Sequence, residues 1–319
     1  MLIIAFTALS LALVAPGGKI AIVGATGNVG QNAVKQLVAK GYKARILLRK
    51  EGSAEELTSL PGVEAIEGDV TDQAACNKLV AGCTAILALH GARRTRQLSD
   101  FWRNPENDAN HAKQINCGGV ANLIAAARAS GTCKRIVRLT GKGETPWSIF
   151  SILINGMGSM AKAWNYEGER LLRATDDLEY TIIRPGVMRG DEETDLPASS
   201  LALADDGGDL KVTAIPHATI ARLAIDSLGY ENAGRCTLTA MQSEEPGTGA
   251  DSWAPLLEGV KADRRAFPGD ELLKEHFLAV RVGGAGIVAG LATFVACVAL
   301  LVKTILGALI GVATTFFMK

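Results

Sequence analysis

The chain has 319 residues, which exceeds one minimal domain and suits a single α/β domain of about 250 residues with additional segments. Basic and acidic residues each total 33, so the overall charge gives no reason to expect nucleic-acid binding. The six cysteines form no C-x-x-C pair and the four histidines are scattered, so neither a metal site nor a disulfide framework is predicted.

The N-terminus is an uncharged segment. Residues 1–15 contain no charged side chain, and a Pro-Gly-Gly turn at 16–18 separates them from the rest of the chain. Such a segment resembles the apolar stretch of a secretory or plastid leader, although no positive residues precede it. A short membrane anchor fits equally well. We therefore interpret residues 1–18 as an apolar leader or anchor.

From residue 19 onward, short β-branched runs alternate with helical segments, a pattern typical of a parallel sheet covered on both faces. The predicted strands are 19–24, 43–49, 63–68, 84–89, 135–140 and 180–185. The predicted helices are 28–40, 53–60, 72–81, 109–130 and 159–175. Because crossovers between parallel strands are right-handed, we expect a doubly wound, Rossmann-type α/β domain over 19–185. Its ligand crevice should lie outside the carboxyl ends of the strands.

A glycine turn comes directly after the first predicted strand. Its sequence is Gly24-Ala-Thr-Gly27-Asn-Val-Gly30, and a predicted helix begins near Asn28. In this pattern Gly24 permits the tight turn, Gly27 lets the backbone approach a pyrophosphate, and Gly30 lets the helix lie close to the strand. The first amides of the helix would face the phosphate charge. The turn therefore predicts a bound dinucleotide.

The ends of the second and third predicted strands bear on which dinucleotide is bound. NAD-binding proteins place an acidic residue after the second strand, whereas this strand ends in Leu48-Arg49-Lys50. Two cations there favour NADP(H) over NAD(H) because they can bind a 2′-phosphate; the alternative is that they are ordinary solvated charges. Asp69 is placed either to meet the adenine edge or to cap the helix that begins near Asp72.

Further cationic residues lie near the expected crevice. Arg93-Arg94-Thr-Arg96 comes after the fourth predicted strand, at the rim, where it would meet either a cofactor phosphate or an anionic partner. A solvated loop is the default interpretation of such a run. Arg184, which precedes Pro185, is expected to form a buried ion pair or to bind a carbonyl group; the alternative is a contact with substrate.

The regular alternation ends after residue 185. Residues 186–278 are predicted to form a small, partly irregular lobe that closes over the crevice, with a helix at 217–229 and a strand at 235–240. Residues 282–302 are 21 uncharged positions, enough to cross a hydrocarbon core of ~30 Å at ~1.5 Å per residue. The apolar run continues beyond Lys303, which favours a membrane segment over a buried helix. One or two transmembrane segments are predicted within 279–319, and truncation after Glu275 is expected to release a folded domain.

Several motifs carry a family resemblance. The glycine turn occurs together with Leu-Leu-Arg at 47–49, Gly-Asp-Val at 68–70, GGVANLIAAA at 118–127 and YTIIRPG at 180–186. Together they resemble the atypical short-chain dehydrogenase/reductases of the NmrA-like, NAD(P)-binding group. The Pro-Trp-Ser-Ile segment at 146–149 is similar to the plant-plastid members. The resemblance covers roughly 19–240. It implies fold and dinucleotide binding, but the group includes reductases, redox-sensing regulators and assembly factors of photosynthetic complexes.

The catalytic residues of the wider family are only partly matched. Its carbonyl reductases use a tyrosine as proton donor, a lysine one helical turn later, and a serine or threonine at the end of strand five. Thr140 matches the last of these. Alignment on Gly168-Glu-x-Leu-Leu-Arg places Ala161 at the tyrosine position and Asn165 at the lysine position, and a shift of one residue restores neither.

Other residues are weaker catalytic candidates. Tyr166 and Arg170 form a Tyr-x-x-x-Arg pair, but starting five positions later turns Tyr166 by about 140° around the helix. Lys142 and Lys162 are alternative cations, with a surface position as the default for both. The catalytic prediction is therefore limited to Thr140 and Tyr166.

The motifs and the resemblance together predict these cofactor contacts: Gly24, Thr26, Gly27, Asn28, Val29, Gly30, Arg49, Lys50, Asp69, Val70, Leu89 and Thr140. Two functions are consistent with them. The first is an NADP(H)-binding, membrane-tethered scaffold, assembly or redox-sensing factor, with a protein partner in a membrane complex, in a plastid or another endomembrane. The second is an NADPH-dependent reductase of a lipid-like or pigment-like substrate.

Overall fold

The computed structural model describes residues 17–50, 52–97, 100, 104–141, 144–189, 194–244 and 251–317. The uncharged segment 1–15 and Lys142 lie outside these ranges. The described strands are β1 (Lys19–Val23), β2 (Lys43–Leu48), β3 (Val63–Glu67), β4 (Ala85–Ala88), β5 (Arg135–Leu139), β6 (Glu179–Pro185), β7 (Val187–Met188), β8 (Leu201–Ala204), β9 (Ala214–Ile215) and β10 (Cys236–Gln242).

Eight of these strands form one sheet in the order β3-β2-β1-β4-β5-β6-β10-β8. All neighbours pair in parallel except β8, which runs antiparallel to β10. The order of the first six strands is doubly wound, and it reverses between β1 and β4. The predicted Rossmann-type sheet is thus confirmed, and the crevice is expected where the β1 and β4 carboxyl ends diverge.

The helices cover both faces of this sheet. They are α1 (Asn28–Ala39), α2 (Glu55–Thr58), α3 (Gln73–Val80), α4 (Gly119–Ser130), α5 (Ile149–Met157), α6 (Ala161–Arg173), α7 (His217–Asp226), α8 (Ala254–Leu257) and α9 (Asp270–Phe317). One buried cluster lies under α1 and α7, and a second lies under α3, α4 and α6. In α1 the buried Val29, Ala33 and Leu37 recur every four residues, the spacing of one helical face.

Two helices differ from the sequence prediction. The helix predicted from residue 109 is regular only from Gly119, because Lys113–Gly118 forms a π-helical turn. The segment before it is held by its own caps, since the Asn104 side chain accepts a hydrogen bond from the Glu106 amide at 3.1 Å. Helix α5 is absent from the prediction. It has only nine residues, a short run in which few polar positions mark the helical period, and the Ser148 hydroxyl caps it by accepting from the Ser151 amide at 3.1 Å.

The region after β6 continues the main sheet. Strand β10 pairs with β6, and α7 packs against α1 through a hydrogen bond from Gln36 Nε2 to the Ala218 carbonyl and an ion pair between Lys40 and Asp226 at 2.7 Å. Six of the seven residues of β10 are buried, so this strand needs a cover on both faces. Residues 201–242 therefore build the same domain as β1–β6, whereas the sequence pattern suggests a lobe over the crevice.

The last helix has two different halves. In its first turns Leu272, His276 and Ala279 are buried, and the helix packs against α5 and α6. From Val288 to Leu306 its large apolar side chains are exposed. In the described part of the chain, the segment Asp270–Gly307 is long and apolar enough to cross a membrane by length and composition, and an 18-residue window within it has a mean hydropathy of 2.5. The boundary predicted at residue 278 falls within this one helix.

The structure moves the expected truncation point. A cut after Glu275 would remove His276 and Ala279, which are fully buried. A cut after Gly284 keeps these contacts and removes the exposed apolar segment. We therefore expect a chain ending at Gly284 to remain in solution without detergent and to keep the melting temperature of the full-length protein. A chain ending at Glu275 should melt at a lower temperature. Both are measured by circular dichroism, and equal melting of the two would contradict this assignment of the early turns to the core.

Candidate functional site

A crevice of about 760 Å³ opens at the carboxyl ends of β1–β4, a volume within the range of ligand pockets. Its walls come from the glycine turn, the end of β2, the end of β3 and the segment after β4. Eight of the predicted cofactor contacts line it: Gly24, Thr26, Gly27, Arg49, Lys50, Asp69, Val70 and Leu89. Three more, Asn28, Val29 and Gly30, form the first turn of α1 directly beside it.

The glycine turn is packed as a dinucleotide cradle requires. Gly24 has φ +88°, and a Cβ there would lie 2.7 Å from the His90 amide nitrogen, so β1 and the segment after β4 touch at this point. A Cβ on Gly30 would lie 2.0 Å from the Gly24 carbonyl oxygen. Gly27 ends the turn before α1, which has no side-chain cap, so the first amides of the helix are free to bind an anion.

The charges around the crevice are mostly positive. Arg49 and Lys50 are exposed at its wall, and neither forms an ion pair with another described residue. Arg93, for which a solvated loop is the default prediction, lines the crevice, and its Nη2 is 3.7 Å from the position of a Cβ on Gly27. A guanidinium at that point lies over the turn that approaches a pyrophosphate. Asp69 lines the crevice, and its carboxylate accepts from the Thr71 amide at 2.9 Å.

Arg94 is a structural cation and does not lie in a solvated loop. It is nearly fully buried and pairs with Asp100 at 2.5 Å and Asp108 at 2.7 Å, and it donates to the Ser159 hydroxyl at 2.7 Å. The hydrogen bond from Arg94 lowers the pKa of Asp100 to about 2. These contacts fix the segment after β4 against the residues before α6, and so they hold Arg93 in place over the crevice.

The crevice floor after β4 consists of a neutral histidine, His90, which lines the crevice, and a fully buried arginine, Arg138, which lies behind it. Because the Ile115 carbonyl can only accept, His90 Nε2 carries the hydrogen in their 3.2 Å contact, and Nδ1 faces the Arg138 guanidinium at 3.4 Å. Burial and Arg138 hold the pKa of His90 well below its usual value. Arg138 itself donates to the Ala88 and His90 carbonyl oxygens, at 3.1 Å and 2.7 Å. Burial lowers the pKa of Arg138 to about 10, so it stays a cation at neutral pH.

The comparison with known protein families supports a dinucleotide-binding role for this crevice. Residues 24–231 match the family described as NAD(P)H-binding, which is more than half of the chain. The chain belongs to this NAD(P)H-binding family. The match also confirms the resemblance to the atypical, NmrA-like short-chain dehydrogenase/reductases, and it covers the glycine turn, the ends of β2 and β3, and the segment after β4.

The relatives of this NAD(P)H-binding protein have different roles by name. It is 27% identical to a ceramide reductase of Caulobacter vibrioides over 178 residues, 56% of this chain and 49% of that protein. It is 22% identical to the chloroplastic protein At2g34460 of Arabidopsis thaliana over 234 residues, 67% and 73% of the two chains. It is 30% identical to the photosystem II assembly factor Ycf39 of Trieres chinensis over 109 residues, 34% and 30%. The chain thus spans about half the length of the ceramide reductase.

A solved structure with the same fold is a short-chain dehydrogenase/reductase from Veillonella parvula DSM 2008 in complex with NADP. It is 15% identical, the alignment covers 74% of this chain and 98% of that chain, and the TM-score is 0.55. At this identity the likeness concerns the fold alone.

At the two positions aligned with the family's catalytic tyrosine and lysine, the side chains and backbone of this chain make structural hydrogen bonds. Ala161 begins α6, and its carbonyl accepts from Asn116 at 3.1 Å. Asn165, at the lysine position, accepts from Arg138 Nη2 at 2.9 Å. This asparagine therefore satisfies the buried arginine of the crevice floor. No local pattern signals this link, because Arg138 lies in a strand that reads as an ordinary core strand.

Thr140 lies at the end of β5 but does not line the crevice. Its hydroxyl donates to Glu169 Oε1 at 2.6 Å, and Glu169 in turn accepts from Arg184 Nε at 3.1 Å. Arg184 also pairs with Glu144 at 2.6 Å. The expected buried ion pair of Arg184 is thus present. Thr140 belongs to this buried charge network, separate from the predicted contacts along the crevice.

Tyr166 lies in the core, away from the crevice. Its side chain is 2% exposed, its ring stacks on His276 with centroids 5.8 Å apart, and its hydroxyl has no hydrogen-bond partner in the described part of the chain. Burial raises the pKa of Tyr166 above its usual value. A buried phenol of this kind does not act as a general acid toward a ligand in the crevice.

Lys162 is also held by the protein interior. Its Nζ donates to the Ser151 hydroxyl, and burial together with Arg184 lowers the pKa of Lys162 to about 8. It does not line the crevice. Thr140, Tyr166 and Lys162 therefore lie away from the crevice wall. Arg93, expected at the rim, does line the crevice. Sequence reasoning did not single out His90, which lines the crevice, or Arg138, which lies behind it.

Proposed function

We propose that this protein is a membrane-anchored, NADP(H)-binding member of its family that serves as a scaffold, assembly or redox-sensing factor in a plastid membrane. The observation that carries the proposal is the pairing of a complete dinucleotide crevice with an asparagine, bonded to a buried arginine, at the position of the catalytic lysine. The protein would therefore bind the dinucleotide but lack the lysine that the family's carbonyl reductases use.

The choice of NADP(H) rests on charge. Arg49 and Lys50 lie where a ribose 2′-phosphate would bind, and no described carboxylate neutralises them. The complex of a fold relative with NADP is consistent with this choice. When bound, the cofactor would supply hydride or sense the redox state of the nicotinamide pool. The chain's own contribution is to bind its phosphates through the α1 amides, Arg93 and Arg49.

Two substitutions separate the phosphates that each arginine binds. Arg49→Asp should weaken NADPH by at least about tenfold and NADH far less, because a charge-assisted guanidinium–phosphate contact contributes about 1.5–3 kcal/mol. Arg93→Ala should weaken both coenzymes by similar factors, because both share the pyrophosphate. Titration of full-length protein in detergent with each coenzyme measures the four constants. Equal losses of NADPH and NADH in Arg49→Asp would remove the 2′-phosphate assignment.

The expectation that this protein does not reduce carbonyls depends on which side chains form the crevice wall and floor. A general acid typically contributes 10²–10⁴-fold in rate, and neither Ala161 nor the buried Tyr166 supplies one to the crevice. We expect NADPH binding without oxidation across a panel of ketones and aldehydes. Tyr166→Phe should change neither coenzyme affinity nor activity, because its hydroxyl makes no hydrogen bond with a described residue. A reductase activity that Tyr166→Phe abolishes would return the catalytic role to this residue.

The membrane and the compartment are inferred from different observations. The exposed apolar side chains of α9 between Val288 and Leu306 support a membrane anchor. The relatives named chloroplastic and photosystem II assembly factor support a plastid and a protein partner. Resistance of the full-length protein to carbonate extraction tests the anchor. Recovery in the soluble fraction without detergent would refute it.

A reductase of a lipid-like or pigment-like substrate is the second candidate. The relative named ceramide reductase favours it, as does an anchor that would hold the crevice near lipid. Such an enzyme would have to pass hydride to an activated double bond without the usual tyrosine. A panel that includes membrane-soluble enones, assayed by NADPH oxidation in lipid vesicles, separates the two candidates.

A further inference from the structure

A second apolar surface lies beside the anchor helix. It is formed by Trp147, Ile149, Phe150, Leu153 and Met157, and we call it the α5 apolar face. Ile149 and Phe150 are 68% and 63% exposed, and Trp147 is 50% exposed. Residues 146–161 include no charged side chain. A contiguous exposed apolar patch rarely occurs on a soluble surface without a partner.

This face is one side of a regular helix. At 3.6 residues per turn, Ile149, Phe150, Leu153 and Met157 fall within an arc of about 100°. The opposite side carries Ser151, Ile152 and Asn155, which are buried. The apolar side is therefore turned outward because the polar side is committed: Asn155 bonds to His276 at 2.9 Å, and Ser151 accepts from Lys162.

The contacts between α5 and α9 fix how the face is placed along the anchor. Ile152 lies against Gly283, and Gly156 lies against Val280. Residue numbers rise on α5 as they fall on α9, so the two helices run antiparallel at this contact. Ile149, one turn before Ile152, is therefore about 4.5 Å further toward the C-terminal half of α9, at 1.5 Å per residue. The first turn of α5 is level with the start of the uncharged run 282–302.

We propose that Trp147, Ile149 and Phe150 enter the interface of the same lipid bilayer that α9 crosses, as a second membrane contact. This inference rests on the proposed anchor. Aromatic residues are favoured at the boundary between headgroups and acyl chains, where Trp147 would keep its indole N–H in the polar layer. Because the first turn of α5 is level with the start of the apolar run of α9, whose side chains are exposed, lipid is the occupant that this placement favours.

The contact would orient the crevice. The Arg96 amide donates to the Met157 carbonyl at 2.7 Å, and Ser159 accepts from Arg94 at 2.7 Å. The segment after β4, which carries Arg93 over the glycine turn, is thus bonded to the end of α5. With both α5 and α9 held by the bilayer, the domain has a defined orientation, and the part of the crevice rim that carries Arg93 is tied to the lipid-facing helix.

The test uses full-length protein, one copy per nanodisc, with lipids brominated at a shallow or a deep acyl position. The Trp147 signal is the wild-type emission minus that of Trp147→Phe, which cancels the other tryptophans. We expect this difference emission to be lost in shallow-brominated lipid, to be retained more fully in deep-brominated lipid, and to resist aqueous iodide.

Two reporters in the Trp147→Phe background complete the design. Val295→Trp, on the exposed part of α9, reports insertion of the anchor itself, and Ser59→Trp, exposed after α2 at the edge of the sheet, reports an aqueous position. If Val295→Trp is quenched by bromolipid and Trp147 is quenched only by iodide, the anchor stands and this inference fails. If neither tryptophan is quenched by bromolipid, the anchor proposal fails with it. A Trp147 shielded from both quenchers would mean that protein covers the face, which also overturns the inference.

Discussion

Asn165→Lys should lower the free energy of unfolding by about 2–4 kcal/mol, because it leaves a buried guanidinium without one acceptor and adds a second cation beside it. Asn165 Oδ1 lies 2.9 Å from Arg138 Nη2, and Arg138 is fully buried. The lysine that family reductases carry at this position is therefore incompatible with the crevice floor of this chain. Urea unfolding followed by circular dichroism measures the loss.

Asn165→Asp is the matched control, because a carboxylate also accepts from Arg138 and should leave stability near that of the wild type. The double variant Ala161→Tyr/Asn165→Lys restores the dyad in sequence only. We expect it to remain inactive on ketones. A double variant that is as stable as the wild type and reduces carbonyls would show that Arg138 does not exclude the lysine.

Gly27→Val should abolish binding of both NADPH and NADH, by more than about 100-fold or nearly 3 kcal/mol, while the fold is kept. Gly27 has φ −81°, which any residue adopts, and a Cβ there would be 3.4 Å from the Gly24 carbonyl oxygen and 3.7 Å from Arg93. The protein can accept the side chain, but a pyrophosphate on the turn cannot. Coenzyme titration and thermal melting together measure the two effects.

Gly30→Ala is the contrasting control for this prediction. A Cβ at Gly30 would meet the Gly24 carbonyl oxygen at 2.0 Å, so the turn and α1 must move apart. It should lower the melting temperature, whereas Gly27→Val should not. Retained coenzyme affinity in Gly27→Val would mean that the dinucleotide does not use the glycine turn.

The sheet could be predicted because the residue patterns that specify its strands are local in the sequence. Each of β1–β6 is a short β-branched run next to a helical period, and the turn at Gly24 needs a positive φ that glycine provides. The crevice residues on β1–β3 are predictable from the same pattern, because the carboxyl ends of parallel strands meet at one edge. The antiparallel strand β8 could not be predicted, because a four-residue strand within a Gly- and Asp-rich region carries almost no periodic signal.

The rest of the site depends on pairs of residues distant in sequence. Arg94 reads as one member of a solvated basic run until Asp100 and Asp108 are brought beside it. From the sequence alone, Asn165 indicates only that the family's lysine is missing, whereas the structure shows that it accepts a hydrogen bond from Arg138. Tyr166 reads as a candidate acid until α9 covers it with His276. In each case the chemistry of the side chain is set by a partner 6 to 110 positions away, which no local pattern specifies.

Helix α9 runs without interruption from the buried contacts of Leu272 and His276 to Phe317. Because one uninterrupted helix joins the domain to the proposed anchor, no loop separates the two, and a tilt of the spanning part would be passed to the domain. In a bilayer, a change in hydrocarbon thickness alters the tilt of a spanning helix. Here that tilt would rotate the whole dinucleotide domain, so membrane thickness would set the height and angle at which the crevice is presented to its surroundings.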